Sequence, residues 1–389
     1  MGCSICGSLK QLEILDFGPI PLCDNIKSTE EEALHVERFS VKVLNCNNCG
    51  HSELEEKAPE ELIYKNYTYR TSFSPILDEH FSLYANKIEE LYKLKVITKK
   101  YPSFLDIGGN DGVLASIMSS KGFKTSVIDP SPAAEFCAGN ISLYNSYLTP
   151  KIVDQFLDEN GPADIISCNN CIANIRDLKI FAESISIALS EGGLLFIETG
   201  YLKHQLENRT AEMVNHEHYH YFTIGSLVKL FSGVGISIIN WSFIKTKGGS
   251  IRCVGIKSAN SKKTIPPIID ETLDAGEFLA FINERKINLK NLIQGRDIDC
   301  FGSSAGTTIL CYLFELDKLV TRVVDDNKSR HGKYMPGTGA QIIGPETWYK
   351  DPKLVTVNCA WRFGKLISEK HRLKLPEWSK FIDVISLKD

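Results

Sequence analysis

Apolar residues between positions 100 and 200 fall into two kinds of segment. Short continuous apolar runs of strand length lie at 104–107, 125–128, 164–168 and 193–199. The segments after Gly112 and over about 177–190 repeat apolar residues at three- and four-residue spacing, which predicts helices. Because strands and helices alternate regularly, we expect a mostly parallel sheet with helices on both faces.

The chain before this region has a different pattern. Residues 1 to about 60 contain two short strand-like runs, at 12–17 and 39–44, joined by the turn "GPIPLCDN" with its two prolines. This stretch is too small to form a hydrophobic core of its own. The segment 80–99 then repeats apolar residues with helical spacing.

A second, smaller α/β domain is predicted after residue 257. The stretch 257–267 is polar, rich in lysine and ends in two prolines, which is typical of a linker. A helix at about 270–293 and three strand-like runs follow, and the first run ends in a glycine-rich turn. The expected fold class is α/β, with an N-terminal module at 1–70, a central domain at 71–257 and a C-terminal domain at 258–389.

Composition narrows the classes of partner. The chain of 389 residues is long enough for two or three domains, and its formal charge of −4 gives no basic field for nucleic acid or an anionic membrane. No apolar run approaches the roughly 18 residues of a membrane helix, and the N-terminus lacks the layout of a signal peptide. We therefore expect a cytoplasmic protein that binds neither nucleic acid nor membrane, and a monomer, because three domains can form one cleft.

The spacing of the cysteines points to a metal. Of the twelve cysteines, Cys3 and Cys6 form one C-x-x-C pair and Cys46 and Cys49 form another, and each pair is followed at once by glycine. Two such pairs can supply four thiolates to a tetrahedral Zn²⁺ ion. A structural zinc ion would also supply the stability that the small module lacks. Free thiols or a redox pair are the alternatives, and the opening "MGCSIC" does not satisfy the myristoylation motif because Cys6 stands where Ser or Thr is required.

A third C-x-x-C pair, Cys168 and Cys171, has no partner pair nearby in the sequence. It ends the apolar run "ADIISC". Packing of small side chains beside a ligand is therefore the favoured interpretation, with metal binding as the alternative.

The segment "FLDIGGNDGVLASIM" (104–118) indicates a cofactor site. It combines an apolar strand, a glycine-rich loop and a helix, an arrangement that points free backbone amides at a ligand. The glycine spacing is not G-x-G-x-x-G, and the loop matches the Asp-x-Gly-x-x-x-Gly turn of S-adenosylmethionine (SAM) methyltransferases. Asp129 ends the next strand, where a carboxylate can accept both ribose hydroxyls. NAD is the competing cofactor, and a helix N-cap is the alternative for Asp129.

The segment "NHEHYHYF" (215–222) concentrates His216, Glu217, His218 and His220 in a chain with nine histidines. It could bind a metal or move a proton. The spacing is not H-E-x-x-H, and adjacent histidines on a strand point to opposite faces. Histidine also has a pKa suited to general base catalysis near neutral pH. Placed after a SAM domain, the segment is interpreted as a proton-transfer site.

The whole chain resembles the SAM-dependent C-methyltransferases of nucleotide-activated deoxysugars, which act on 4-keto-6-deoxyhexoses. The resemblance rests on the two cysteine pairs and on these further motifs: "GPIPLCDN", "YTYRTSFS", "DIGGNDG", "NHEHYHYF", "GGSIR", "GSSAGTT", "VVDDN" and "GKYMPGTG". It implies an N-terminal zinc module, a Rossmann-like SAM domain and a C-terminal α/β domain that helps to hold the nucleotide-sugar. "GSSAGTT" and "VVDDN" would shape the nucleotide pocket, or they are only tight turns at strand ends.

The resemblance also implies roles for individual residues. His218 would be the base, Glu217 would orient or polarise the site, Tyr67 and Tyr69 would line the sugar pocket, and Arg252 would contact the diphosphate. The expected catalytic set is His218, Glu217, Tyr69, Asn215 and Asn174. The expected cofactor-binding set is Asp106, Gly108, Asn110, Gly112, Asp129 and Asn169.

Four positions depart from the pattern of this family. Asn174 stands where a histidine usually follows the fourth strand, and Asn215 stands where a tyrosine precedes "HEH". Lys247 replaces the histidine of "HGGSxR", and the lysine of a C-terminal "GASAKG" turn is replaced, which leaves Gly306. All four are polar site positions, so they bear on the sugar, the nucleotide and the atom that is methylated.

The leading hypothesis is a SAM-dependent C-methyltransferase that acts at C3 of a TDP- or GDP-linked 4-keto-6-deoxy sugar. An enzyme that methylates carbon must first remove a proton beside the keto group, which requires a base and a donor for the oxyanion. One alternative is an O- or N-methyltransferase on a related nucleotide-sugar. Others are a zinc-ribbon RNA methyltransferase and a SAM-binding partner without catalytic activity.

Overall fold

The computed structural model describes residues 2–64, 70–73, 75–94, 99–258 and 273–387. Tyr67 and Tyr69, and most of the predicted linker, lie outside these ranges. The described strands are β1 (Gln11–Pro21), β2 (Arg38–Cys46), β3 (Ser52–Leu54), β4 (Ser103–Ile107), β5 (Lys124–Ile128), β6 (Ser142–Tyr144), β7 (Ala163–Asn169), β8 (Leu189–Gly200), β9 (His220–Tyr221), β10 (Ile236–Ile244), β11 (Ser250–Lys257), β12 (Ile298–Phe301), β13 (Val320–Val324), β14 (Gln341–Ile343), β15 (Val355–Asn358) and β16 (Lys380–Asp383). The described α-helices are α1 (Glu30–Leu34), α2 (Glu60–Tyr64), α3 (Pro75–Lys93), α4 (Val113–Ser120), α5 (Pro150–Asn160), α6 (Leu178–Ala188), α7 (Leu202–Glu207), α8 (Ile224–Ser232), α9 (Gly276–Ile293), α10 (Ala305–Leu313), α11 (Pro345–Lys350) and α12 (Gly364–His371).

The N-terminal sheet is antiparallel, with the strand order β1-β2-β3-β9. Phe39, Val41 and Val43 alternate on the buried face of β2, and the residues between them are half-buried. Such alternation is typical of a sheet that packs one face on a core. The fourth strand, β9, comes from "NHEHYHYF". This segment is therefore built into the sheet of the cysteine module.

The central sheet has seven strands in the order β10-β11-β8-β7-β4-β5-β6. Strands β4 to β8 are parallel, and β11 runs antiparallel to β8. The residues of β4, β5 and β7 are almost all buried, as expected for parallel strands covered on both faces. The chain winds outward in opposite directions from β4 and β7, and the carboxyl ends at such a switch point are where open α/β sheets bind ligands. The fold is the predicted Rossmann-like one.

The C-terminal domain contains a second parallel sheet, in the order β14-β13-β12-β15-β16. The sequence pattern predicts an α/β domain here, but it predicts only three strands and misses β14 and β16, which have three and four residues. The helix predicted from residue 270 begins at Gly276 instead. The Asp274 carboxylate accepts the backbone N–H of Gly276 at 2.7 Å, which favours a turn before the helix.

One apolar core joins the N-terminal sheet to the C-terminal domain. It includes Leu15 and Val43 of the N-terminal sheet, Tyr219 and Tyr221 of "NHEHYHYF", and Ile309 of α10. Burial of these side chains holds "NHEHYHYF" between the two sheets. Within the described ranges, the helices include none that is long and apolar enough to span a lipid bilayer.

Candidate active site

Four cysteine side chains meet in the N-terminal module. Cys3 Sγ lies 3.6 Å from Cys49 Sγ, Cys6 Sγ lies 3.6 Å from Cys46 Sγ, and all four sulfurs lie within 4.8 Å of one another. A Zn²⁺ ion bonded to four sulfurs at about 2.3 Å separates them by about 3.8 Å. The predicted ligands therefore fit a tetrahedral zinc ion between the chain before β1 and the turn from β2 to β3.

The glycine-rich loop after β4 forms one wall of a cleft that encloses about 1010 Å³. The cleft lies at the carboxyl ends of β4, β5 and β7, at the switch point of the central sheet. Four of the predicted cofactor residues line it, together with the predicted catalytic residue Asn174; the four are Gly108, Asn110, Asp129 and Asn169.

Two glycines are required by the shape of this loop. Gly108 has φ +68°, and a Cβ atom there would lie 2.5 Å from Cβ of Cys171. Gly112 has φ +76° where α4 begins, and a Cβ atom there would lie 2.8 Å from Sγ of Cys137. Only glycine combines a positive φ with so close an approach. The predicted glycines therefore shape the cofactor loop.

Asp129 holds the same loop in place. Its Oδ2 accepts the backbone N–H of Asn110 at 2.8 Å, and its Oδ1 accepts the backbone N–H of Ser131 at 2.8 Å. The Asn110 side chain in turn accepts the backbone N–H of Thr71 at 2.9 Å. The carboxylate thus stabilises the turn after β5 and also lines the cleft. The N-cap of the short helix that follows, Pro132–Phe136, is Ser131, so the N-cap alternative for Asp129 is wrong.

Asp106 lies behind the loop and outside the described lining of the cleft. Its Oδ1 accepts the Ser167 hydroxyl at 2.8 Å, and burial, reinforced by the charge of Asp129, raises its pKa to about 7. Asn169 donates to the same hydroxyl at 2.7 Å, while its Oδ1 is buried and has no hydrogen-bond partner among the described residues. A buried acceptor on the wall of a cleft suits a donor on a ligand, which fits SAM.

Cys168 and Cys171 are joined by a disulfide, whereas the sequence suggested only packing or metal binding. Cys171 lines the cleft. Its sulfur is bonded to that of Cys168, and a disulfide sulfur is not the thiolate that a metal site requires. The packing part of the prediction holds, since the Cys171 side chain lies against Gly108.

The histidines of "NHEHYHYF" have separate surroundings. His216 Nε2 donates to the carbonyl oxygen of Phe39 at 3.0 Å, and His220 Nδ1 lies 3.0 Å from Nε2 of His51. Both rings are buried, and burial lowers the pKa of each below its ordinary value. These two neutral histidines attach the segment to β2 and to the residue before β3.

A metal at His220 is disfavoured by a lysine. His51, Glu53 and His220 place ligand atoms within 4.8 Å of one another. However, Nζ of Lys57 lies 3.0 Å from Oε2 of Glu53 and 3.4 Å from Nε2 of His220. The ammonium already supplies the positive charge that a metal ion would bring, so a second cation would be repelled.

His218 has the geometry of a base. Its Nδ1 lies 2.8 Å from the carbonyl oxygen of Met213, and because a carbonyl only accepts, Nδ1 carries the proton. Nε2 then carries the lone pair. The ring lines a smaller cavity of about 330 Å³ that shares Asn170 and Lys247 with the larger cleft. Burial lowers the pKa of His218 to about 4, so the ring is neutral at physiological pH.

Known proteins match the chain along almost its full length. Three family models cover it in succession: "Putative zinc binding domain" over residues 3–64, "Methyltransferase domain" over residues 78–240 and "C-methyltransferase C-terminal domain" over residues 245–385. The C-methyltransferase NovU of Streptomyces niveus is 22% identical over 399 aligned residues, which cover 98% of this chain and 94% of NovU. The chain belongs to the C-methyltransferase family.

The C-methyltransferase is thus a SAM-dependent enzyme, as the sequence predicts. Solved structures similar to its central part include an O-methyltransferase family protein from Burkholderia thailandensis, with 15% identity and a TM-score of 0.35 over 47% of this chain and 59% of that chain. A SAM-dependent methyltransferase from Clostridium acetobutylicum has 13% identity and a TM-score of 0.36 over 51% of this chain and 96% of that chain. The assignment of the fold rests on the strand order of the central sheet.

Glu217 of this C-methyltransferase faces charged groups from two directions. Burial and the negative charge of Asp24 raise its pKa to about 7, and the ammonium of Lys247 acts in the opposite direction. Asp24 itself lies in "GPIPLCDN" and pairs with Arg330 of the C-terminal domain at 3.0 Å. Glu217 therefore lies where the N-terminal module and the C-terminal domain meet.

The two asparagines that depart from the family pattern have different surroundings. Asn215 uses its side chain on the backbone: Oδ1 accepts the N–H of Glu217 at 2.9 Å, and Nδ2 donates to the carbonyl oxygen of Glu212 at 3.0 Å. This arrangement shapes the turn that leads to His218. Asn174 lines the larger cleft. A catalytic role stays a prediction for both residues.

Two further positions also differ from their expected surroundings. The guanidinium of Arg252 pairs with the carboxylate of Glu198 at 2.6 Å, and its carbon atom lies 3.7 Å from the ring centroid of Tyr84. Because the charge of Arg252 is already paired with a carboxylate, its position does not fit the suggested contact with a diphosphate. Gly306 lies against Glu212, because a Cβ atom there would be 3.0 Å from Cγ of that glutamate. Glu212 thus occupies space that a side chain at position 306 would need.

The residues that connect the two cysteine pairs to "NHEHYHYF" were not predicted from the sequence. The backbone N–H of Ser4, inside the first knuckle, donates to Oε1 of Glu53 at 2.9 Å, and Lys57 bridges Glu53 to His220. Nothing in the local spacing of these residues marks them. Two features could have pointed to them: His51 follows the second knuckle directly, and Glu53 and Lys57 have the spacing of an ion pair.

Proposed function

We propose that this C-methyltransferase methylates C3 of a nucleotide-linked 4-keto-6-deoxy sugar. The observation that carries the proposal is the position of His218. Its lone pair at Nε2 belongs to a ring that lines a cavity sharing residues with the cleft for the methyl donor. A base next to a methyl donor is what methylation of carbon requires.

The reaction would proceed in two steps. Nε2 of His218 removes the proton from C3, the C–H bonding pair becomes the C3–C4 double bond of an enolate, and the C4 carbonyl oxygen takes the negative charge. SAM supplies an electrophilic methyl group on its sulfonium. A new bond then forms between C3 and this methyl carbon, the S–CH₃ bond breaks with its electron pair moving to sulfur, and the C4 carbonyl is restored. The proton on His218 is lost to solvent after the products leave.

The residues around the base suit this chemistry. Burial lowers the pKa of His218 to about 4, so the ring is neutral at neutral pH but is a weaker base than an ordinary histidine. The cavity is also lined by the buried polar side chains of Thr199 and Gln205, which can bind the hydroxyl groups of a sugar. Methylation of carbon, rather than of oxygen or nitrogen, is further supported by the family model that covers residues 245–385.

We further propose that the nucleotide is TDP or GDP, that one chain is sufficient for activity, and that the zinc ion is structural. The four cysteines support the third point, because a site with four sulfur ligands leaves no open position for a substrate.

The decisive experiment combines product analysis with isotope exchange. The enzyme is incubated with SAM and, separately, with 4-keto-6-deoxy sugars linked to TDP, GDP or CDP, and the products are identified by mass spectrometry and NMR. We expect a product 14 mass units heavier, methylated at C3, and exchange of the C3 proton with D₂O when SAM is left out. A methyl group on oxygen or nitrogen without exchange would overturn the proposal, and so would the absence of any product with the three nucleotides.

A further inference from the structure

Lys247 lies at the junction of the two cavities. It is in the turn between β10 and β11, and it lines both the SAM cleft and the smaller cavity of His218. Asn170 is the other residue that lines both, so the passage between the methyl donor and the base runs past these two side chains. Of the two, Lys247 is the one with a cationic group.

The backbone holds Lys247 in an unusual conformation. Its φ of 50° and ψ of 40° lie in the left-handed region, which is strained for a residue other than glycine. The turn is fixed by its neighbours: Asn208 donates to the carbonyl oxygen of Gly248 at 2.9 Å, and Tyr201 donates its N–H to that of Gly249 at 3.1 Å. The surrounding structure therefore directs this side chain, which is a common property of functional sites.

The charged groups around Lys247 come from three parts of the chain. Glu198 on β8 and Glu217 in "NHEHYHYF" attract its ammonium, while Arg362 of the C-terminal domain opposes it. Burial lowers the pKa of Lys247, and the two carboxylates counteract this effect. The ammonium in turn lowers the pKa of His218, so a positive charge acts on the ring that would accept the proton.

We propose that Lys247 is a catalytic residue whose ammonium donates a hydrogen bond to the C4 oxygen of the substrate as that oxygen becomes an enolate. This inference rests on the proposed function. When Nε2 of His218 takes the C3 proton, the electron pair of the C–H bond moves toward the C4 oxygen, and the Lys247 ammonium stabilises the charge there without giving up its proton. The proton stays on His218 until the products leave, and Lys247 is unchanged at the end of the cycle.

This role accounts for the arrangement of charges. His218 is a weak base, since burial and the Lys247 ammonium both oppose its protonation, so it cannot remove a carbon-bound proton without help at the oxygen. In the enolate state, a negative oxygen lies between an imidazolium and an ammonium. The Lys247 ammonium disfavours protonation of His218 in the resting site, where the ring is neutral, and attracts the oxyanion once it forms. Such stabilisation appears only when the charge develops.

The test compares variants at position 247 with a variant of an exposed lysine in the same turn. Lys247→Met removes the charge but keeps the length of the side chain, Lys247→Arg keeps the charge, and Lys245→Met changes an exposed lysine two residues away. We expect Lys247→Met to reduce the rate of C3 proton exchange in D₂O and the rate of methyl transfer, each by about 100-fold to 1000-fold. The SAM affinity of Lys247→Met, measured by calorimetry, should stay within about threefold of the wild-type value. Lys247→Arg should recover part of the exchange rate. Lys245→Met should behave as the wild type.

The outcomes separate this inference from the proposed function. Wild-type enzyme that neither exchanges the C3 proton nor methylates carbon would overturn the proposed function, and with it this role. Wild-type enzyme that is active, together with a Lys247→Met variant that exchanges at the normal rate, would overturn the role of Lys247 alone. A Lys247→Met variant that loses stability and SAM binding together, while the folded fraction exchanges normally, would show a structural lysine and also reject the proposal.

Discussion

The ring of His218 donates its Nδ1 proton to the carbonyl oxygen of Met213 at 2.8 Å. This hydrogen bond selects one tautomer and leaves the lone pair on Nε2. We therefore predict that His218→Ala abolishes methyl transfer while SAM still binds, because the glycine loop and Asp129 lie apart from this ring. His216→Ala is the matched control: it removes the hydrogen bond to Phe39 and should lower the melting temperature but leave turnover of the folded enzyme within a few-fold. Near-normal turnover of His218→Ala would reject His218 as the base.

The pH dependence of kcat/KM should distinguish His218 from Glu217. A base must be deprotonated, and with a pKa near 4 the ring of His218 is already neutral above about pH 5. It should therefore give a loss of activity only as the pH falls through about 4, not near 6.5. The pKa of Glu217 is raised to about 7, and its ionised form attracts the Lys247 ammonium. Ionised Glu217 keeps Lys247 in its charged form, in which it can stabilise the enolate. We therefore expect kcat/KM of the wild type to rise as the pH increases through 7.

Glu217→Gln should remove this rise, because the amide does not ionise. The measurement is the initial rate of methyl transfer between pH 5 and 9 at low concentration of the sugar substrate. If the rise near pH 7 persists in Glu217→Gln, it belongs to another group, and the assignment to Glu217 is wrong.

Local patterns in the sequence predicted the parts of the site that depend on neighbouring residues. The cofactor loop needs glycine where φ is positive and the backbone approaches Cys171. The role of Gly108 could therefore be predicted from the sequence of the loop alone. The two C-x-x-C pairs could be predicted for a similar reason, since Cys3 and Cys6 must be close in the sequence to bind one metal ion within a short turn. The same argument applies to the buried strands β4 and β7, whose apolar runs are continuous.

Contacts between distant residues could not be predicted in this way. His51 and His220 are 169 positions apart, and Lys57 and His220 are 163 positions apart, so no periodicity links them. Arg252 was expected at a diphosphate, but β11 pairs with β8 in a register that places it directly opposite Glu198. A single sequence does not reveal the register between strands, and the partner of a buried charge depends on it.

SAM affinity should depend on the contact between Gly108 and Cys171. Gly108→Ala would place a methyl group 2.5 Å from Cβ of Cys171 in a backbone with φ +68°, so the loop must move. We expect a loss of SAM affinity of about 10-fold or more, measured by titration calorimetry. Gly122→Ala is the control, because Gly122 has φ +90° but no atom within 4 Å of the added Cβ. If Gly108→Ala binds SAM as well as Gly122→Ala does, the contact with Cys171 does not determine SAM affinity.

Zinc should affect the active site through a chain of polar contacts. The N–H of Ser4, between Cys3 and Cys6, donates to Glu53, which holds the ammonium of Lys57 at 3.0 Å. Lys57 lies 3.4 Å from Nε2 of His220, two residues after His218. We predict that chelation of zinc slows methyl transfer far more than it weakens SAM binding, and that added Zn²⁺ restores the rate. The comparison is turnover against SAM affinity at each step of metal removal.

Lys57→Met separates this coupling from a general loss of folding, because it leaves the four cysteines in place. Metal content should stay at one zinc per chain by elemental analysis, while methyl transfer falls by about 10-fold to 100-fold, as is usual when an outer partner of a metal site is lost. Lys42→Met is the matched control in the same sheet: Lys42 pairs with Glu13 at 3.4 Å on the surface, and its loss should leave both zinc and turnover unchanged. If Lys57→Met keeps its zinc and its full rate, these polar contacts do not couple zinc binding to methyl transfer. Zinc then stabilises only the N-terminal module.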